Sequence, residues 1–154
     1  LVGSEMCIRD RSLDVQGAFR VDLDELPEAS PQQVQPIRLA ANAVDSSDLY
    51  LKHKTSYRVA YDQAAAEVPD GVEPILFNER GEITESNISN VVYRLGRDWF
   101  RPPVSRGLLP GTLREELLER GKLTVRLLRV AELDSVQELV LINGLRGWRQ
   151  TRWV

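Results

Sequence analysis

Apolar and polar positions along this chain change period several times, and the changes outline its elements. Ala18 to Leu23 (AFRVDL) alternates at period two and predicts a strand. Pro36 to Val44 (PIRLAANAV) is a second strand candidate. Between them LPEASPQQVQP has no periodicity and suits a surface connection. After DSSDLYLKHK come Thr55 and Ser56, good helix N-cap residues. Val59, Ala60, Ala64 and Val68 then fall near one helical face, which predicts a helix over 57–68, ended by Pro69-Asp70-Gly71. A meander of antiparallel strands follows at 74–78, 88–94 and 98–101, with turns at Glu79-Arg80-Gly81 and Gly96-Arg97. Residues 103–111 read as a loop. TLREELLER (112–120) reads as a helix with Leu113 and Leu117 at i, i+4 and Gly121 as its stop. Strands are predicted at 123–130 and 138–143, with a helical turn in AELDSV between them; GLRGWRQTRWV closes the chain. Mixed α and β elements with hairpins predict an α+β or mixed α/β fold rather than a simple doubly wound parallel sheet.

Composition narrows the function. A net charge of −3 argues against binding polyanions by bulk charge, so no nucleic-acid partner is expected. No apolar run reaches the roughly 18–20 residues that span a bilayer. One cysteine excludes a disulfide framework, and one histidine, His53, excludes a histidine-rich metal site, so no metal is expected. Met6 and Cys7 both fall within LVGSEMCIRDRS, residues 1–12. That stretch lacks the regions of a signal peptide. It resembles a translated sequencing-adapter peptide, and it is set aside as a non-native leader, with the native N-terminus expected to be missing. Without it the chain carries no cysteine, which permits a cytoplasmic location.

Three short regions carry candidate chemistry. In LKHKTSYR (51–58) two lysines flank His53 just before a helix, and a partly desolvated lysine there can be a nucleophile toward a carbonyl. A solvated basic turn explains the same residues. In GEITESNISN (81–90) Glu85 lies among Ser, Thr and Asn between strands, either a structural acid or a hydrogen-bond acceptor. In RGLLPGTLREELLE (106–119) a Pro-Gly turn delivers Thr112 to a helix start, whose free N–H groups favour an anion; a plain N-cap would look alike.

Taken together and in this order, the regions resemble the fold-type IV pyridoxal-phosphate enzymes, the class IV aminotransferases and aminodeoxychorismate lyases. The lyase part of bacterial aminodeoxychorismate synthase/lyase proteins carries a similar HKT-x-x-R…Y-D segment, matched by His53-Lys54-Thr55, Arg58 and Tyr61-Asp62. It also carries N-E-x-G-E-x-T-E…S-N, matched by Asn78-Glu79, Gly81-Glu82, Thr84-Glu85 and Ser89-Asn90. Pro102-Pro103, Gly107 to Gly111 and Arg114 match P-P…G-L-L-P-G-x-x-R, and Asn143 with Leu145 to Gly147 match N-x-L-R-G. The resemblance covers about residues 13–150.

The resemblance implies the large domain of a D-amino-acid-aminotransferase-like fold, a mixed sheet or pseudo-barrel with flanking helices. Residues 13–48 would be an inter-domain segment with the first strands, and 49–154 the cofactor-binding domain. It implies that Lys54 binds pyridoxal 5'-phosphate covalently and then moves the substrate proton, with Lys52 as its rival. Glu85 would face the pyridine nitrogen. Thr112 and Leu113 would cradle the phosphate, Asn143 would reach it, and Arg58 would steady the lysine and cofactor. Tyr61 and the three tryptophans are left as packing residues. Family members have a further small N-terminal domain that gives an arginine to the phosphate. The chain is therefore expected to be roughly half of a catalytic unit that works as a homodimer. The implied activity is 4-amino-4-deoxychorismate lyase, giving 4-aminobenzoate and pyruvate from a small-molecule amino substrate. A branched-chain or D-amino-acid aminotransferase, and a catalytically inert fragment, are the alternatives.

Overall fold

A computed structural model describes residues 7–25 and 34–154. Two compact units divide the chain, 1–32 and 33–154. The first contains one antiparallel hairpin, β1 (Cys7–Leu13) with β2 (Phe19–Glu25). Its turn is fixed by Asp14, whose carboxylate accepts from the amides of Gln16 at 2.9 Å and Ala18 at 2.8 Å, and by Gly17 at φ +83°. β2 coincides with the alternating segment, while β1 is formed largely by residues that the sequence reading sets aside as a leader. Most of the expected connection after β2 lies outside the described residues.

The second unit is built on a closed ring of strands. Its elements are β3 (Gln35–Leu39), α1 (Val59–Ala66), β4 (Glu73–Phe77), β5 (Ile83–Ser86), β6 (Asn90–Leu95), β7 (Asp98–Arg101), α2 (Thr112–Glu119), β8 (Thr124–Val125), β9 (Glu138–Asn143) and β10 (Gly147–Trp153). The sheet runs β5-β4-β3-β10-β9-β6, and β5 pairs back to β6, so six strands close on themselves. β3 is parallel to both β10 and β4, and the other ring pairings are antiparallel. Closure rests on one pair, Glu85 with Asn90. β7 and β8 extend the sheet outward from β6.

Side-chain alternation divides the core. Ile37, Ile75, Ile83, Val91, Tyr93, Leu139 and Leu141 form one cluster drawn from five ring strands, which fills the ring. The alternate residues Val92, Val140 and Ile142 face outward and are covered by Leu113 and Leu117 of α2. Leu76 faces outward from β4 and packs with Tyr61 and Ala64 of α1. This explains why ELVLIN reads as an unbroken apolar run: β9 is buried on both faces.

Several boundaries differ from the sequence reading. The helix expected at 57–68 runs only from Val59 to Ala66, with Arg58 at its N-cap and no side-chain cap bond. Thr55 instead donates to the carbonyl of Tyr57 at 3.2 Å. The strand expected at 36–44 stops at Leu39, and that at 123–130 shrinks to Thr124–Val125. β5 is wholly buried yet reads ITES, so its polarity hid it. β10 was hidden because it carries four consecutive polar residues, Arg149 to Arg152, which break the apolar alternation.

Candidate active site

Four segments meet around a cavity of about 520 Å³, within the ~300–1,000 Å³ of typical ligand sites. They are the stretch entering α1, the β5–β6 connection, the loop leading into α2, and the turn between β9 and β10. Lys54, Arg58, Glu85, Thr112 and Asn143 all line it. Lys52 is not among the lining residues. Leu113 also stays out: it is not among the lining residues, and its side chain packs on the outward face of β6 and β9.

Glu85 is the electrostatic centre. It is 4% exposed and held by three donors. Tyr61 donates its hydroxyl to Oε1 at 2.6 Å, the amide of Leu109 donates to Oε1 at 3.0 Å, and Asn90 donates Nδ2 to Oε2 at 3.1 Å. Burial pushes the carboxyl up to about 8, against the opposing pull of these donors and of the Arg58 and Lys54 charges. The Tyr61 hydroxyl is pushed up as well, by burial and then by the Glu85 charge. Arg58 lies 4.7 Å over the Tyr61 ring and donates to the carbonyl of Asn87 at 2.5 Å. It thus braces α1 against the β5–β6 connection. Such a carboxylate favours a cationic N–H donor, which would restore its charge.

A second region suits an anion. In α2 the first i→i−4 bond joins the amide of Glu115 to the carbonyl of Gly111 at 3.1 Å, so the amides of Thr112, Leu113 and Arg114 precede the helical ladder. Two glycines keep this end open. A Cβ on Gly111 would lie 2.1 Å from Asn90 Oδ1, and one on Gly144 would lie 2.9 Å from Thr112 Oγ1. Asn143 lines the cavity, but its side chain is committed elsewhere. It donates to the carbonyl of Ile88 at 3.2 Å and to Ser89 Oγ at 3.1 Å, and its Oδ1 accepts from the amides of Leu145 and Arg146. Its share in the site is to shape the turn, not to offer a free donor.

Sequence reasoning missed Tyr61, Asn90 and the glycines. The i, i+3 spacing of Arg58 and Tyr61 was an available signal, because it stacks the two side chains. It also missed a buried ion pair below the β5–β6 connection, Arg149 with Glu73 at 2.5 Å. Arg149 lies on β10, a strand that was not recognised. No group of His, Cys, Asp or Glu able to hold a metal occurs among the described residues. No helix among them is long and apolar enough to cross a membrane.

The model of the amino-transferase class IV family matches residues 14–153. A solved structure of a protein from Mesorhizobium loti, provisionally named an amino-acid aminotransferase, is 34% identical with a TM-score of 0.88, covering 94% of this chain and 71% of that one. The 4-amino-4-deoxychorismate lyase structure from Pseudomonas aeruginosa is 26% identical with a TM-score of 0.73, over 91% of this chain and 56% of that one. A Schizosaccharomyces pombe protein, provisionally named an aminodeoxychorismate lyase, is 29% identical over 62% of this chain. The chain spans 43% of that protein and 39% of a second curated relative, from Haemophilus influenzae.

Proposed function

The chain belongs to the amino-transferase class IV family, and we propose that it carries the cofactor-binding part of a pyridoxal-phosphate-dependent 4-amino-4-deoxychorismate lyase. The observation that carries the reading is convergence: an amine (Lys54), a buried carboxylate (Glu85) and an open helix start (Thr112) line one cavity. The residues present fit pyridoxal phosphate. Glu85 would offer its carboxylate to a ring N–H, and Gly111 and Gly144 leave room where a Cβ would collide. A buried acceptor, Asn87 Oδ1, has no hydrogen-bond partner among the described residues.

When bound, pyridoxal phosphate supplies an electron sink for the pair released at the substrate carbon. Lys54 would hold it through Nζ. The same amine, when unprotonated, would serve as the base for the proton on the amino-bearing carbon of the substrate. Breaking of the neighbouring ring carbon–oxygen bond would release the enolpyruvyl group as an enolate and leave aromatic 4-aminobenzoate, and the enolate would take up the one proton removed from the ring to become pyruvate. Glu85, fixed by Tyr61, Asn90 and Leu109, would keep a charged oxygen against the ring nitrogen. Thr112 Oγ1, with the amides of Thr112 and Leu113, would hold the phosphate. Arg58 holds α1 and the β5–β6 connection together around the lysine. The full-length protein would act as a homodimer.

Borohydride reduction in the presence of pyridoxal phosphate, followed by peptide mapping, tests the cofactor reading. Label is expected on Lys54; label on Lys52, or on no lysine of a full-length version, overturns it. The similarity to the Mesorhizobium loti protein favours a second reading, amino-acid aminotransferase. Pyruvate release from aminodeoxychorismate supports the lyase, and amino transfer to a 2-oxo acid without pyruvate supports the transferase.

A further inference from the structure

Ser89 lies in the β5–β6 connection, lines the cavity and is 4% exposed. Its oxygen receives two donors, Arg149 Nη2 at 2.6 Å and Asn143 Nδ2 at 3.1 Å. Neither can reverse its role. A guanidinium has no acceptor, and Nη1 of Arg149 is engaged by Glu73 Oε1 at 2.5 Å. Asn143 is held the same way round, since its Oδ1 accepts from the amides of Leu145 at 3.1 Å and Arg146 at 2.7 Å. A serine hydroxyl has two lone pairs and one hydrogen. With both lone pairs filled, only the hydrogen remains to bond.

No acceptor among the described residues takes that hydrogen. Ser86 shows the contrast. Its hydroxyl donates to Glu73 Oε2 at 2.9 Å and accepts from the amide of Ser89 at 3.1 Å, so it is satisfied. Donor direction is therefore fixed through the whole group: Asn143 and Arg149 donate to Ser89, while Arg149 and Ser86 donate to Glu73. Arg149 Nε is also without a partner among the described residues, but Arg149 does not line the cavity; on the cavity wall the unspent proton of this group is that of Ser89. A guanidinium at the oxygen also polarises the O–H bond, which strengthens it as a donor.

We infer that Ser89 is a ligand-binding residue, a hydroxyl locked as a donor toward an anionic oxygen in the cavity, with Arg149 and Asn143 as the positioning residues that lock it. The oxygen belongs to a phosphate monoester or to a carboxylate. The inference rests on the proposed cofactor site, because a ligand held there must present that oxygen.

The test titrates the full chain and its S89A and S89T variants with pyridoxal phosphate and with pyridoxal, followed by absorbance. It then titrates the cofactor-loaded proteins with benzoate as a carboxylate probe. Loss of a hydrogen bond to a charged oxygen weakens binding roughly tenfold or more. If S89A weakens pyridoxal phosphate but not pyridoxal, the acceptor is the phosphate. If it weakens only benzoate, the acceptor is a carboxylate. S89T, which keeps a hydroxyl, should recover most of either loss. Equal affinities for every probe overturn the inference. Equal loss on pyridoxal phosphate and pyridoxal with a lower melting temperature also overturns it, since that marks a structural role. Should the wild-type chain take up no pyridoxal phosphate, the cofactor reading fails. Line broadening of inorganic phosphate by 31P NMR then decides Ser89: broadening that S89A abolishes supports it, and broadening equal in both, or absent, overturns it.

Discussion

Replacing Glu85 by Gln separates what the carboxylate does for the site from what it costs the fold. Burial moves its carboxyl from 4.5 up to about 8. Between those values the folded chain keeps a proton that the unfolded chain has lost, so stability falls as pH rises. Below pH 4.5 both states are protonated and the contribution is fully present; above pH 8 both are ionised and the loss is complete. The slope is about 1.4 kcal/mol per pH unit and the total about 5 kcal/mol, large against the roughly 5–15 kcal/mol of a whole domain. The neutral amide carries no such slope. It does introduce a conflict, because its nitrogen would meet Asn90 Nδ2, which now donates to Oε2 at 3.1 Å. Leaving that pair unsatisfied costs about 1–3 kcal/mol. The two terms cross. E85Q should be less stable than the parent at pH 5 and more stable at pH 9, by about 2–4 kcal/mol. Urea unfolding of both proteins at each pH from 5 to 9 measures the difference, and groups common to both cancel. A difference constant to within about 0.5 kcal/mol from pH 5 to 8 refutes the argument. E85Q should also bind pyridoxal phosphate weakly at every pH, so the variant gains stability where it loses the site.

Other perturbations isolate the neighbours. Tyr61→Phe keeps the ring under Arg58 but removes a donor that lowers the Glu85 carboxyl, so the stability transition against pH should end higher than in the parent; an unshifted transition contradicts the assignment. Gly111→Ala meets no backbone strain at φ −68°, but its Cβ would sit 2.1 Å from Asn90 Oδ1. It should cost about 1–3 kcal/mol by thermal melting and weaken cofactor uptake by absorbance, and a melt and uptake equal to the parent's would count against the close approach. Arg149→Met strands the Glu73 carboxylate and should cost about 3–5 kcal/mol in urea unfolding. Adding Glu73→Gln should recover part of that loss, and no recovery would show that the pair is not coupled.

How far the site was legible depends on how its chemistry is distributed along the chain. Lys54, Glu85 and Thr112 could be singled out because each is a reactive or polar residue type in a short motif, and the order of their motifs carried the family resemblance. The ring's core was partly legible for the same reason: ELVLIN and EPILF are buried on both faces and read as apolar runs. What escaped was polar but buried. β5 spells ITES because Glu85 and Ser86 must reach the cavity, so the strand that carries the key carboxylate breaks the hydrophobic pattern that marks strands. Arg149 and Glu73 escaped because their pairing joins residues 76 apart in sequence, across β10 and β4, with β3 lying between these strands in the sheet. No local period encodes such a contact. The same physical fact accounts for both omissions: a cavity that binds a charged ligand needs polar groups held away from water, and each such group is stable only if partners from distant segments satisfy it. Those partners, Tyr61 for Glu85 and Arg149 for Ser89, are therefore the residues that sequence spacing identifies last and on which the geometry of the site most depends.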